Sequence, residues 1–194
     1  MTRIAIIQGH PTPGGGHFGH ALADAYAAAA EASGHAVRRI NVADLDFPLL
    51  RSRDDWEKTP LPATLAEAQA SIAWAEHLVI LFPLWLGTMP ALLKGFLEQV
   101  LRPGFATSTS ETGKGWRRLL KGRSARIVVT MGMPSILYRL YFREHGVKVL
   151  VRNILKFVGI APCRTIYVGM IEGLSDTERR RWLTAMGRLG KDAR

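Results

Sequence analysis

Five short runs rich in β-branched and aliphatic residues, each followed by a helical stretch, constrain this chain more than any other feature. They are Arg3–Gln8, Ala36–Val42, His77–Phe82, Ala125–Met131 and Arg164–Met170. The first, third and fourth are apolar almost throughout, as strands covered on both faces must be. Helices are predicted over His17–Ser33, closed by Gly34, and over Pro62–Ala75 and Pro90–Arg102, each opened by a proline. Ser135–Phe157 reads as helical at least in its second half, and Asp176–Leu189 begins at a capping box of Ser175 and Glu178. Strands alternating with helices imply parallel pairing through right-handed crossovers. The expected fold is therefore α/β, a doubly wound five-stranded parallel sheet with helices on both faces. The 194 residues leave room for one such unit, a single domain over 1–194. The polar, aperiodic stretch Ala106–Gly115 reads as a mobile surface loop.

Charge narrows the choice of partner. With 26 Lys and Arg against 16 Asp and Glu, the chain carries +10 and should attract anions. Arg117, Arg118, Lys121, Arg123 and Arg126 form one basic cluster, and Arg179, Arg180 and Arg181 another. Consecutive residues on a helix spread around its circumference, so the second makes no single stripe; both read as solvated faces, and no nucleic-acid partner is expected. The lone Cys163 excludes an intrachain disulfide and a multi-thiolate metal site, and reads as a small buried hydrophobe. The six histidines show no ligand spacing with Cys or paired carboxylates, so no metal is expected. The apolar run Ile4–Ile7 is too short for a leader. The longest apolar stretch, Leu78–Leu93, is shorter than the roughly 20 residues of a membrane helix and is interrupted by Pro83, Gly87 and Pro90. The reading is a cytoplasmic protein without membrane insertion.

Ligands of doubly wound sheets bind at the carboxyl ends of the strands. After the first strand comes GHPTPGGGHFGHAL. Gly14, Gly16 and Gly19 match the spacing of a dinucleotide fingerprint, but Pro11 and Pro13 make the loop too long for that turn. A long loop opening a helix can instead curl around a phosphate, with His10 and His17 as further donors. His20, already inside the helix, reads as a solvated residue. After the third strand, FPLWLG puts large apolar groups into a loop, where a flat apolar ligand or a partner subunit would explain them. Lys94 and Glu98, four residues apart on the next helix, read as an ordinary surface pair.

The run FPLWLGTMPALLKGFLEQVL resembles the signature of the flavodoxin-like NAD(P)H:quinone oxidoreductases, the DT-diaphorase type and its smaller bacterial relatives. IIQGHPTPGGGHFGHALADAY resembles their flavin-phosphate loop, and GRSARIVVTMGMP their fourth strand with its Thr-x-Gly turn. The resemblance implies FMN or FAD as cofactor and NAD(P)H as reductant. It places His10, His17, Phe18 and Gly19 on the flavin's phosphate and ribityl chain, and Pro83, Leu84, Trp85 and Leu86 along the isoalloxazine. Thr130, Met131 and Gly132 would flank the pyrimidine side. Three positions depart from the family pattern: His17 replaces a small residue, Gly19 an asparagine, and Met133 a glycine.

The same resemblance implies catalytic roles for Tyr138, eight residues after Thr130, and for His145, ahead of Gly146. A hydroxyl or imidazole can stabilise or protonate the charge that hydride transfer leaves on a flavin's pyrimidine side. A packing role for Tyr138, Tyr141 and Phe142 against the sheet or a second subunit is the alternative. The implied reaction passes a hydride from NAD(P)H through flavin N5 to a quinone or similar flat acceptor, in ping-pong order. The rival is a non-catalytic flavin-binding subunit that regulates an ion-transport partner. Exposed Trp85, Tyr138, Tyr141 and Phe142 would leave an apolar patch, so a homodimer is expected.

Overall fold

The computed structural model describes residues 1–109 and 115–193. Five parallel strands form the sheet: β1 (Arg3–Gln8), β2 (Ala36–Asn41), β3 (His77–Pro83), β6 (Ser124–Thr130) and β7 (Cys163–Val168). Their order is β2-β1-β3-β6-β7, the doubly wound arrangement that the alternation implies. In the central pairs Ile7 stands beside Ile80, and Ile80 beside Ile127. The winding reverses between β1 and β3, which puts the carboxyl ends of β1, β3 and β6 around one crevice.

Successive side chains of a strand point to opposite faces, and each face has its own cover. Ala5, Ile7, Ile80, Phe82, Ile127 and Val129 pack with α3 (Ala66–Trp74) and α4 (Ala91–Val100). Ile4, Ile6, Val79, Leu81 and Val128 pack with α1 (Phe18–Ala32) and α8 (Asp176–Lys191). Ser175 and Glu178 do form the capping box that starts α8. Helices α1 and α8 approach so closely that a Cβ on Gly190 would fall on the Tyr26 carbonyl. One short helix has no counterpart among the predicted elements: α2 (Arg53–Glu57), held by a capping box of Ser52 and Asp55.

Two stretches differ from the sequence reading. Thr107–Thr109 (β4) pairs antiparallel with Trp116–Arg118 (β5), so the flanks of the supposed loop form a hairpin; residues 110–114 lie outside the described ones. The stretch Ser135–Phe157, read as helical at least in its second half, is helical there and broken before it. It runs as α5 (Ser135–Leu140), α6 (His145–Lys148), a widened π turn over Val149–Leu155, and α7 (Lys156–Val158). The break comes at Arg143 and Glu144, both left-handed with φ of 51° and 57°. That conformation is uncommon for residues bearing a Cβ and terminates regular helix. Cys163, at the start of β7, is half-buried, with its thiol donating to the Ile160 carbonyl at 3.3 Å. Among the described residues no helix is long and apolar enough to cross a membrane.

Candidate functional site

Gln8, a polar residue closing an apolar strand, fixes the first loop. Its side-chain oxygen accepts the His10 N–H at 3.1 Å and its amide donates to the Gly19 carbonyl at 3.2 Å, joining the two ends of the loop. Between them Gly14, Gly15 and Gly16 take φ of 77°, 82° and 87°, a conformation open to glycine at little steric cost. The loop then enters α1 at His17, whose side chain is exposed and caps no backbone N–H. The rings of His10 and His17 stack with centroids 3.9 Å apart, and His20 lies 5.3 Å from the first and 5.8 Å from the second. His20 is thus half-buried against its neighbours and not the solvated helix residue expected of it. Phe18 turns to the other side, with the Arg179 guanidinium 5.2 Å over its ring.

The second loop is a tight hairpin. Trp85 and Thr88 exchange backbone hydrogen bonds at 2.9 and 3.0 Å, leaving Leu86 and Gly87 at the tip with φ of 47° and 80°. Glycine suits such a position, whereas a leucine there is strained. Leu86 is nonetheless fully exposed and Trp85 half so, while Pro83 is buried. The Leu84 N–H donates to the Thr130 carbonyl at 2.8 Å, which ties this loop to the third. The Trp85 ring meets His10 edge-on at 6.5 Å, which ties it to the first.

Thr130 and Met131 are buried, and the turn after them is exposed at Gly132. A Cβ on Gly132 would stand 3.3 Å from the Glu172 carboxylate. Tyr138, expected to be exposed in the apolar patch, is instead only 1% exposed, and its hydroxyl is engaged twice. It donates to the Gly87 carbonyl at 3.0 Å and accepts the Val147 N–H at 3.3 Å. Burial is the main cause that pushes its phenol above the usual range. In this state Tyr138 braces the Leu86–Gly87 tip from behind. Tyr138→Phe would strand a buried N–H and carbonyl, an expected cost of about 1–3 kcal/mol that a denaturant titration would read. His145 is exposed at the start of α6, and the next residue, Gly146, abuts the hairpin: its Cβ would fall on the Gly87 carbonyl and the Thr88 Cα.

Two imidazoles around the first loop are lowered, as is His77 at the other end of the sheet. Burial, then the neighbouring His17 and His20, lowers the His10 imidazole to about 4. His20 is lowered by burial and by His17, with Asp24 and Asp44 opposing. A cavity of about 230 Å³ opens here, lined by His10, Thr12, Gly14, Gly15, His20 and Arg39 among others. Among the described residues no three His, Cys, Asp or Glu side chains are placed to hold a metal ion.

The three loops thus converge at the carboxyl ends of β1, β3 and β6, and residues 2–186 match a protein family described as the flavodoxin-like fold. The chain belongs to the flavodoxin-like fold family. A ribosyldihydronicotinamide dehydrogenase-like protein of Penicillium crustosum is 33% identical over 87 residues, 42% of this chain and 33% of that protein. The match therefore spans about a third of that relative's length. An uncharacterized NAD(P)H oxidoreductase of Haemophilus influenzae is 25% identical, over 90% of this chain and 87% of its own. An FMN-dependent NADH:quinone oxidoreductase of Ruegeria pomeroyi is 27% identical over 70% of this chain and 72% of its own. Among solved structures, Smu.1420 from Streptococcus mutans superposes with a TM-score of 0.76 at 29% identity, covering 97% of this chain and 98% of that one. The NAD(P)H:quinone oxidoreductase from Methanothermobacter marburgensis gives 0.79 at 21% identity, over 100% and 99%, and attests the fold.

Of the residues singled out in the sequence, His10, Trp85, Leu84 and Thr130 are linked by the contacts between loops, and His17 joins through His10. Tyr138 lies behind the hairpin, and Gly146, the neighbour of the exposed His145, abuts it. Two supports were not picked out by sequence reasoning. Gln8 could have been found as the polar residue ending an apolar strand. Glu144, which accepts the Tyr167 hydroxyl at 2.9 Å and stabilises the left-handed break, carries no local signal.

Proposed function

We propose that this chain is a flavin-dependent NAD(P)H oxidoreductase acting on quinones or similar flat acceptors. The observation that carries the reading is the pairing of two unlike surfaces in one crevice. A glycine loop with imidazole donors stands edge-on to a strained hairpin that exposes Trp85 and Leu86. The first suits a phosphate and the second a flat apolar ring. FMN is favoured over FAD by the name of the Ruegeria relative.

A bound flavin would supply the two-electron hydride chemistry between NAD(P)H and the acceptor. The chain's part is to hold and orient. Backbone N–H groups of the glycine loop and the α1 terminus would face the phosphate, and Pro83–Leu86 would carry the ring. The backbone of Thr130–Gly132 would bound the pyrimidine edge. Trp85 and Leu86 would form an apolar slot that pyridine nucleotide and acceptor occupy in turn, giving ping-pong order. Tyr138 would act through the hairpin it braces, and His145 would reach the reacting edge as a proton donor. The exposed Leu86, Ile136, Leu140 and Tyr141 favour a homodimer that covers them.

The test is NAD(P)H oxidation with benzoquinone in the presence of FMN. Turnover that saturates with added FMN is the expected outcome. A protein that binds flavin yet turns over neither NADH nor NADPH would reject the enzymatic reading.

A further inference from the structure

Three imidazoles pressed together at the mouth of a phosphate-type loop pose a question of charge. The stacked contact of His10 with His17 and the proximity of His20 would set cations against one another if more than one ring were protonated. Arg39 on β2 lines the same cavity, and Arg179 on α8 adds a positive charge above Phe18. The acidic groups facing the cluster are Asp24 on α1 and Asp44 after β2, and Asp24 is itself paired with Arg39. Without an anion, burial and this crowding favour the neutral form of His10 and His20, and the Nδ1 of His10 accepts the Thr12 N–H at 3.1 Å. A phosphate entering the cavity that His10 and His20 line, with His17 stacked on His10, would invert the balance, because a dianion favours protonated rings beside it.

We propose that His10, His17 and His20 form a proton-coupled clamp for a phosphate group, which binds the anion by taking up protons. The proposal rests on the flavin reading for the identity of the ligand, but its geometry is the chain's own. Position 17 departs from the family's small residue, and only that departure allows the stacked pair. The rings stack instead of converging on a point, which fits a charge cluster better than a metal site.

The sign follows from linkage. A group whose pKa is higher in the bound state strengthens binding at low pH and loses that contribution as pH rises through the bound value. Above pH 6.5 a phosphate monoester is largely dianionic, so its own titration intrudes little. FMN should bind about three- to tenfold more weakly at pH 8 than at pH 6.5, whereas riboflavin, which lacks the phosphate, should show no such change.

Calorimetry of FMN binding at pH 7 in buffers of differing ionisation enthalpy counts the protons directly. Net uptake is expected for the intact chain and should fall in His17→Ser and His20→Gln, together with the pH dependence. His17 is exposed, so its replacement leaves the core untouched. FMN binding without proton uptake and equally tight at both pH values would overturn the clamp and leave the flavin reading standing. If no flavin binds, the flavin reading fails, and inorganic phosphate decides the clamp alone. Phosphate titrated at constant ionic strength should move the NMR pH titrations of the three rings upward. Rings indifferent to phosphate would overturn the proposal.

Discussion

Gly146→Ala is expected to weaken flavin binding at least tenfold while leaving the sheet intact. The added Cβ would fall on the Gly87 carbonyl and on the Thr88 Cα, both backbone, so no flexible side chain can yield. Overpacking of this kind costs about 1–3 kcal/mol, and every route to relief moves either α6 or the hairpin tip. Tyr138 fixes the same tip from the same side, so a shift there also disturbs its hydrogen bond to Gly87. The consequence appears at Trp85 and Leu86, which the hairpin presents to the crevice. Flavin titration with denaturant melts of the same variant would separate the two effects. Loss of affinity with less than about 3 kcal/mol of destabilisation is the expected result. Unchanged affinity would mean that the hairpin does not carry the ring.

A second large effect is expected where α1 and α8 cross. Gly190→Ala should destabilise the fold by about 1–3 kcal/mol, because its Cβ would run into the Tyr26 carbonyl. Helix propensity alone has the opposite sign, favouring alanine over glycine by about 1 kcal/mol. Gly187, one turn earlier on the same helix, supplies the control. A Cβ there meets the Ala29 side chain at 3.7 Å, an ordinary contact. Gly187→Ala should therefore be neutral or stabilising by up to about 1 kcal/mol. Thermal and urea unfolding of the two variants would decide the matter, and equal behaviour would rule out close helix approach as the reason for Gly190.

The sheet was legible because its signal is periodic and local. Strands such as Leu78–Phe82 are covered on both faces, and continuous apolar runs say so directly. The converging loops were legible through composition: three successive glycines, and a tryptophan and leucine where a loop should be polar. What remained hidden depends on contacts distant in sequence. Arg143 and Glu144 look like helix residues, and only the tie from Tyr167 to Glu144 and the seat of Gly146 against the hairpin show why the helix breaks there. Thr107–Thr109 was too short and polar to read as a strand without its partner Trp116–Arg118. The setting of His20 is hidden for the same reason. Its surroundings come from His10 on the far side of the loop, which helical position alone does not reveal.

The net charge of +10 counts the histidines as neutral, and of its cations Arg39 and Arg179 lie near the first loop. The Arg-rich stretch near Arg117 lies on a hairpin strand away from the crevice strands. The proposed oxidoreductase activity depends on that crevice holding a flavin. The most direct test is to titrate the purified protein with FMN and FAD and to follow flavin absorbance and fluorescence. Saturation at one flavin per chain is expected, with perturbed flavin bands and quenched fluorescence where Trp85 meets the ring. A protein that stays colourless and leaves both flavins free in solution would contradict it.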